Sequence, residues 1–181
     1  MAFARRRWMR EQGMFDPARL VFIDETSANT KMVRPLRPRR AAGGPCAAGP
    51  LEDDHLRGRA ASAWHESVAD GAMTGKRFLA YVEQCLAPTL KCKDIVMMDN
   101  LPAHKTAGVR EAIEARGATL RYLPKYSPDL NPIEMPFSKL KADLRKAAER
   151  TIPRLRRRIG RFAATLTARQ ASNYFRHAGY A

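Results

Sequence analysis

The chain has 181 residues, 45% hydrophobic and 28% charged, enough for one domain with its own core. Its 33 Lys and Arg against 18 Asp and Glu leave a formal charge of +15, which points to a polyanionic partner because cations neutralise phosphates and release counterions. No run approaches the roughly 20 apolar residues of a membrane span, and the basic start MAFARRRWMREQ has no apolar stretch behind it to make a signal peptide.

Three cysteines, Cys46, Cys85 and Cys92, lack a CxxC spacing and read as reduced cytosolic thiols, not a disulfide framework or zinc site. In chain order, residues 3–12 are basic and suit a helix, read as the tail of a preceding segment. Leu20 to Asp24 is an apolar run with polar flanks, a strand. Alternation sets Phe22 and Asp24 on one face, Ile23 and Glu25 on the other. Thr26 to Lys31 is turn-like. Residues 36–67, rich in Ala, Gly, Pro and Arg, show no period-2 pattern and read alone as loop or disorder. Between Gly75 and Leu90 the spacing of Phe78, Leu79, Val82 and Leu86 predicts an amphipathic helix. Asp94 to Asp99 is a strand apolar on both faces, hence central and buried. Thr106 to Arg116 follows as a helix stopped by Gly117, then a strand over Ala118 to Leu123. A turn-rich loop over Lys125 to Leu130 precedes a helix opened by Asn131-Pro132, Asn as N-cap and Pro in the first turn. That helix runs to about Arg150. Residues 152–164 and 167–178 read as two closing helices.

Asp24 and Asp99 each end an apolar run, and Glu134 lies at a helix start 34 residues beyond Asp99. Hard divalent cations take oxygen ligands, and three carboxylates so placed suit a two-metal phosphoryl-transfer site. Plainer roles exist for each: Asp24 as a turn cap, Glu134 as a carboxylate complementing the helix dipole. Asp99 in a buried strand is costly unless paired or metal-bound.

The segments FIDET, MDNLPAHK and YSPDLNPIE with the following FSKLK resemble the catalytic domain of mariner-like DDE transposases, in particular their bacterial insertion-sequence branch. The resemblance covers about residues 15–35 and 68–181. It implies a ribonuclease H-like α/β fold, a mixed central sheet flanked by helices. It further implies two Mg²⁺ or Mn²⁺ ions held by Asp24, Asp99 and Glu134 as the catalytic triad, and cleavage and strand transfer on double-stranded DNA at transposon ends and target. A homodimer, a nucleoid-associated cytoplasmic location in bacteria, no membrane and no small-molecule substrate go with it. Asn100, His104, Asn131, Lys139, Lys141 and Arg145 are the auxiliary or DNA-contacting candidates. Residues 1–15 are expected to be a linker remnant, 16–150 the endonuclease domain and 151–181 its closing helices. Pro136, where the family has a helix former, is a departure that threatens the aim of Glu134.

Residues 36–67 occupy the place of the second and third strands, which are expected to be disrupted. One permitted coding of Pro50 to Gly58, read one base later, gives HWKTTTFV, similar to the family's strand pair, so the segment reads as an out-of-frame translation. Only about twenty residues precede the first catalytic strand, too few for the family's N-terminal helix-turn-helix region. These two features support a rival expectation, an inactive transposase remnant that binds nucleic acid only nonspecifically. A stand-alone structure-specific nuclease is a third reading.

Overall fold

The computed structural model describes residues 2–29, 51–59, 62–70 and 74–180. Cys46 and residues 36–50 lie outside them. Among the described residues, five strands form one mixed sheet: β1 Leu20–Asn29, β2 Leu51–Arg59, β3 Ser62–Asp70, β4 Ile95–Met98 and β5 Thr119–Tyr122. Their spatial order is β3-β2-β1-β4-β5. β1, β4 and β5 run parallel, with Ile23 opposite Met98 and Met98 opposite Tyr122. β2 and β3 are antiparallel additions on the other side of β1.

The second and third strands therefore correct the expectation of disruption. β2 pairs along β1 from Phe22↔Gly58 to Asn29↔Leu51, and β3 pairs with β2 with a register shift between Arg57 and Arg59. The reason is context. The free edge of β1 presents a row of N–H and C=O groups that must be satisfied, and strand preference depends more on neighbours than on composition. The segment lacks a clean alternation, yet the backbone of a hairpin can still fill that edge.

Among the described residues, six helices flank the sheet: α1 Ala2–Glu11, α2 Gly75–Tyr81, α3 Val109–Glu114, α4 Glu134–Ala147, α5 Ile152–Thr165 and α6 Ala168–His177. The expected helix over 75–90 is real but changes pitch, passing into a π-turn at Val82–Leu86 and a 3₁₀ turn at Ala87–Thr89 around Pro88. The helix expected from Thr106 starts later, at Val109, after a 3₁₀ turn over Pro102–Lys105. Gly117, at φ +72°, stops the chain after α3 as expected.

Alternation along β1 divides the core between the two faces of the sheet. Leu20 and Phe22 pack with Met97 of β4 against Trp8, Ile133, Phe137, Phe175 and Tyr180. Val21 and Ile23 pack with Val96 and Met98 against Phe78, Val82, Leu86, Val109 and Ile113. All four β1 side chains are fully buried, each contributing about 1.5–3 kcal/mol. Leu140, Leu144, Leu155 and Ile159 zip α4 to α5, and the Arg158–Asp143 pair at 2.7 Å joins the same helices at the surface. Tyr174 and Phe175 are core residues. The helix α1 is more than a tail. Trp8 is buried in the core, its indole N–H donates to the Tyr180 hydroxyl at 3.0 Å, and Glu11 accepts from Arg121 at 2.8 Å. Among the described residues no helix is long and apolar enough to cross a membrane.

Candidate functional site

Asp24 does not end its strand. β1 runs on to Asn29, and Asp24 stands where the parallel pairing with β4 stops, after Ile23↔Met98, while pairing with β2 continues through Asp24↔Leu56. Asp99 is the first residue beyond β4. The two aspartates thus follow directly on paired residues of adjacent strands, about 4.8 Å apart in such a sheet. Both point to the face that carries Phe22 and Met97, the face α4 covers. Glu134 is the first residue of α4, delivered there by the loop after β5. The structure brings all three carboxylates into one cavity of about 440 Å³, lined also by Asn100, Lys125, Tyr126, Ser127 and Asn131.

Each aspartate has its own support. Asp24 is 7% exposed, and its Oδ2 accepts from Asn131 Nδ2 at 2.7 Å. Asn131, itself buried, accepts at Oδ1 from the Ile133 amide at 3.1 Å. It is therefore not the N-cap of α4, as the sequence suggests. The helix starts three residues later, and Asn131 uses its side chain to join the loop to β1. Asp99 is more open, with 34% of its side chain exposed. Its Oδ1 accepts from the Leu101 amide at 3.2 Å and lies 2.6 Å from His104 Nδ1, a close contact without the alignment of a full hydrogen bond. His104 is fully buried with its ring 4.4 Å from that of Phe78, and the Tyr122 hydroxyl donates to its carbonyl at 3.0 Å. Burial holds the Tyr122 phenol above its ordinary pKa.

Pro136 raises no difficulty for Glu134. With α4 starting at Glu134, Pro136 is third in the first turn, where the backbone N–H has no partner within the helix. The ladder begins with the Phe137 amide on the Ile133 carbonyl at 3.1 Å. The loop that aims Glu134 is clamped by both ends of the chain. The buried Tyr180 hydroxyl donates to the Leu130 carbonyl at 2.9 Å and accepts from Trp8. Arg5 pairs with Asp129 through both oxygens, and that hydrogen bonding holds the Asp129 carboxyl below its usual range. Burial pushes the Tyr180 phenol well above its usual value. Nothing in the spacing of Trp8, Asp129 or Tyr180 announces this clamp.

The basic candidates divide. Lys139 donates to the Tyr174 hydroxyl at 2.7 Å and lines a second hollow that shares Asn131 and Glu134 with the carboxylate cavity. Lys141 and Arg145 do not line the carboxylate cavity. Asn100 lines it and donates to the Leu123 carbonyl at 3.4 Å. Tyr126 and Lys125, on the cavity rim, were not singled out by the sequence. The three carboxylates, with the amide oxygens of the neighbouring asparagines, are of the kind a hard divalent cation takes. Among the described residues, no three His, Cys, Asp or Glu side chains stand close enough together to hold one as they are; Asp24 and Asp99 lean instead on Asn131 and His104.

The model of the DDE superfamily endonuclease family matches residues 19–156, well over half the chain and inclusive of all three carboxylates. The chain belongs to this family. Among solved structures, the DDE endonuclease fold resembles the Mos1 transposase paired-end complex with the left transposon end, at 16% identity and TM-score 0.70 over 97% of this chain and 55% of that one. It resembles the Mos1 mariner paired-end complex with Mn at 17% identity and TM-score 0.70, over 97% and 56%. The catalytic domain of Mos1 mariner transposase alone aligns at 14% identity and TM-score 0.65, over 97% of this chain and 82% of that one. The likeness gives the ribonuclease H-like fold expected from the sequence. The chain spans about half the length of the Mos1 chains in the DNA complexes it matches. No curated protein sequence matches it.

Proposed function

We propose that this DDE endonuclease domain is the catalytic part of a DNA transposase, hydrolysing phosphodiesters and transferring strands at the ends of a mobile element. The observation that carries the reading is the meeting of Asp24, Asp99 and Glu134, from three separate elements, in one cavity on a sheet of this family. Two Mg²⁺ or Mn²⁺ ions bound there by these three carboxylates would supply charge for the transferred phosphoryl group and lower the pKa of the attacking water or 3′-hydroxyl. The chain does the rest. Asn131 holds Asp24, the Leu101 amide and His104 hold Asp99, and the Tyr180 and Arg5 clamp sets the start of α4 and hence Glu134. Lys139, beside Glu134, is placed to meet a phosphate. The charge of +15 suits double-stranded DNA as partner. Descent from the bacterial insertion-sequence branch, work as a homodimer on paired ends, and residence at the bacterial nucleoid belong to the same proposal.

The rival reading, an inactive remnant, drew on the expected loss of two strands and on the short stretch before the first strand; β2 pairs with β1 and β3 with β2, which favours the active one. Thermal unfolding with and without Mn²⁺, beside cleavage of supercoiled DNA, tests the proposal. A ligand that binds only the folded state raises stability by about 2.7 kcal/mol at a hundredfold excess over Kd. The parent should show that rise and Mg²⁺-dependent cleavage, and Asp99→Ala should show neither. Cleavage retained in Asp99→Ala would rule the mechanism out, and a parent indifferent to metal would leave the remnant reading in possession.

A further inference from the structure

Tyr126 is 85% exposed, the most exposed of the large hydrophobic side chains among the described residues, and it stands on the rim of the carboxylate cavity. Its backbone is left-handed, at φ +57°. A bulky residue in that region is a true outlier, and such residues persist where the surroundings fix them and collect at ligand clamps. The surroundings here are fixed on both sides. The Leu123 amide donates to the Met98 carbonyl at 2.8 Å, just inside Asp99, and the Leu130 amide donates to the Ser127 carbonyl at 3.1 Å. Ser127 is buried, and Leu130 and Asp129 are the two points gripped by Tyr180 and Arg5. A rigid loop therefore spends conformational strain to present an aromatic face to solvent beside the three carboxylates. Lys125, exposed, lines the same rim.

From this placement we infer that Tyr126 is a stacking platform for an unpaired nucleobase of the DNA strand that enters the carboxylate cavity, with Lys125 beside it for the adjoining phosphate. The inference rests on the proposed endonuclease reading for the identity of the strand. The chemistry favours a base over an apolar partner. The rim also carries Leu101, Pro102, Pro124 and Pro128, but it opens on three carboxylates and Lys125, a setting for a polar, charged strand, and every base has a π-face that an aromatic ring can hold without regard to sequence. A phosphodiester seated over Asp24, Asp99 and Glu134 brings its neighbouring base to the rim, and a base lifted out of the duplex lets the strand bend into the cavity.

The test uses the full chain and a DNA hairpin with a single-stranded 3′ tail carrying 2-aminopurine at one tail position at a time, with Ca²⁺ in place of Mg²⁺. The parent should alter the probe's fluorescence at one or two tail positions. Tyr126→Ala should lose that change and bind the tailed hairpin about tenfold to a hundredfold more weakly, the range for a lost base–aromatic stack. Tyr126→Phe should keep both. Tyr126→Gly separates binding from folding. Glycine accepts the left-handed backbone without strain, so its melting temperature should be kept or raised while the fluorescence change is lost. Asp99→Asn should keep the change and lose cleavage. If Asp99→Asn cleaves like the parent while Tyr126→Ala still loses the change, the catalytic reading fails and the platform stands. Unaltered fluorescence and affinity in both Tyr126→Ala and Tyr126→Gly overturn the platform. So does a loss of self-association in these variants with DNA binding intact, which would make the ring an interface between copies.

Discussion

Asn131 Nδ2 donates to Asp24 Oδ2 across 2.7 Å, joining the loop before α4 to the middle of β1, and both side chains are buried. The amide has no charge to offer, so what it contributes is direction: it fixes which carboxylate oxygen faces the loop. Asn131→Ala removes that donor and the acceptor for the Ile133 amide together. A buried polar group that loses its partner costs about 1–3 kcal/mol. Urea unfolding should therefore show a loss of that size, with DNA cleavage and the Mn²⁺-induced rise in melting temperature both reduced. Full cleavage in a folded Asn131→Ala protein would show that Asp24 orients itself.

The Tyr180 hydroxyl carries a pH signature. It is buried and bonded to Trp8 and Leu130, and burial holds the phenol neutral above its ordinary pKa near 10. The unfolded chain releases this proton near pH 10 while the folded chain retains it. The stability it contributes is therefore whole below about pH 10 and falls as pH rises toward the folded value. Tyr180→Phe keeps the ring against Phe22 and Phe175. It should cost about 1–3 kcal/mol at neutral pH by stranding Leu130 and Trp8, and should flatten the alkaline fall. Melting temperatures of parent and variant from pH 8 to pH 11 check this. Parallel curves would place the alkaline sensitivity elsewhere.

His104 touches Asp99 with one ring nitrogen and Phe78 with its face. His104→Phe keeps an aromatic ring in the pocket and removes the contact with the carboxylate. The Tyr122 bond goes to the backbone carbonyl and survives. Extra bulk in the core costs about 1–3 kcal/mol. Beyond that, cleavage should fall at least tenfold and the metal-induced stabilisation should shrink. If only stability changes, the residue serves the core alone.

Where the sequence was legible, the reason is local. Phe22 and Asp24 share a face because a strand alternates, and the apolar pairs Val96–Met97 and Met97–Met98 on β4 demand burial on both sides. The position of Glu134 at a helix start is likewise written in its neighbours. Asn131 was misplaced because Asn before Pro is a strong local cap signal, and a bond to a residue 107 positions away overrode it. The Trp8–Tyr180–Leu130 clamp was invisible because its members come from both ends of the chain. Residues 36–67 read alone as loop or disorder because alternation is weak there, while the need that pairs β2 and β3 belongs to the edge of β1.

Pro136 gives a test of helix register. The sequence places it inside the helix, where it would cost about 3 kcal/mol and bend the axis. The structure places it third in the first turn, with no helical bond to lose. Pro136→Ala should then change stability by less than about 1 kcal/mol, chiefly through the unfolded chain, and leave cleavage intact. A gain of several kcal/mol with a change in activity would mean that α4 begins earlier.

The pairing of β2 puts Leu56 opposite Asp24 on one side and Glu66 on the other, so this strand is interior to the sheet while β3 forms its border. Proline removes a ladder donor, which an interior strand cannot spare and a border strand can at alternate positions. Leu56→Pro should strip hydrogen bonding beside Asp24. Each orphaned group costs about 1–3 kcal/mol, a large share of the ~5–15 kcal/mol that holds a typical domain. The cooperative transition should weaken or vanish and the Mn²⁺ response with it. Prolines scanned singly through Ser67, Val68 and Ala69 of β3 should include at least one that leaves both in place, because alternate N–H groups of a border strand make no ladder bond. Amide hydrogen exchange should agree, with residues 53–57 more protected than the outward positions of β3. If Leu56→Pro unfolds like the parent, the catalytic half of the sheet, β1, β4 and β5, stands without its hairpin, and a chain with residues 51–70 out of register would still hold its three carboxylates in place.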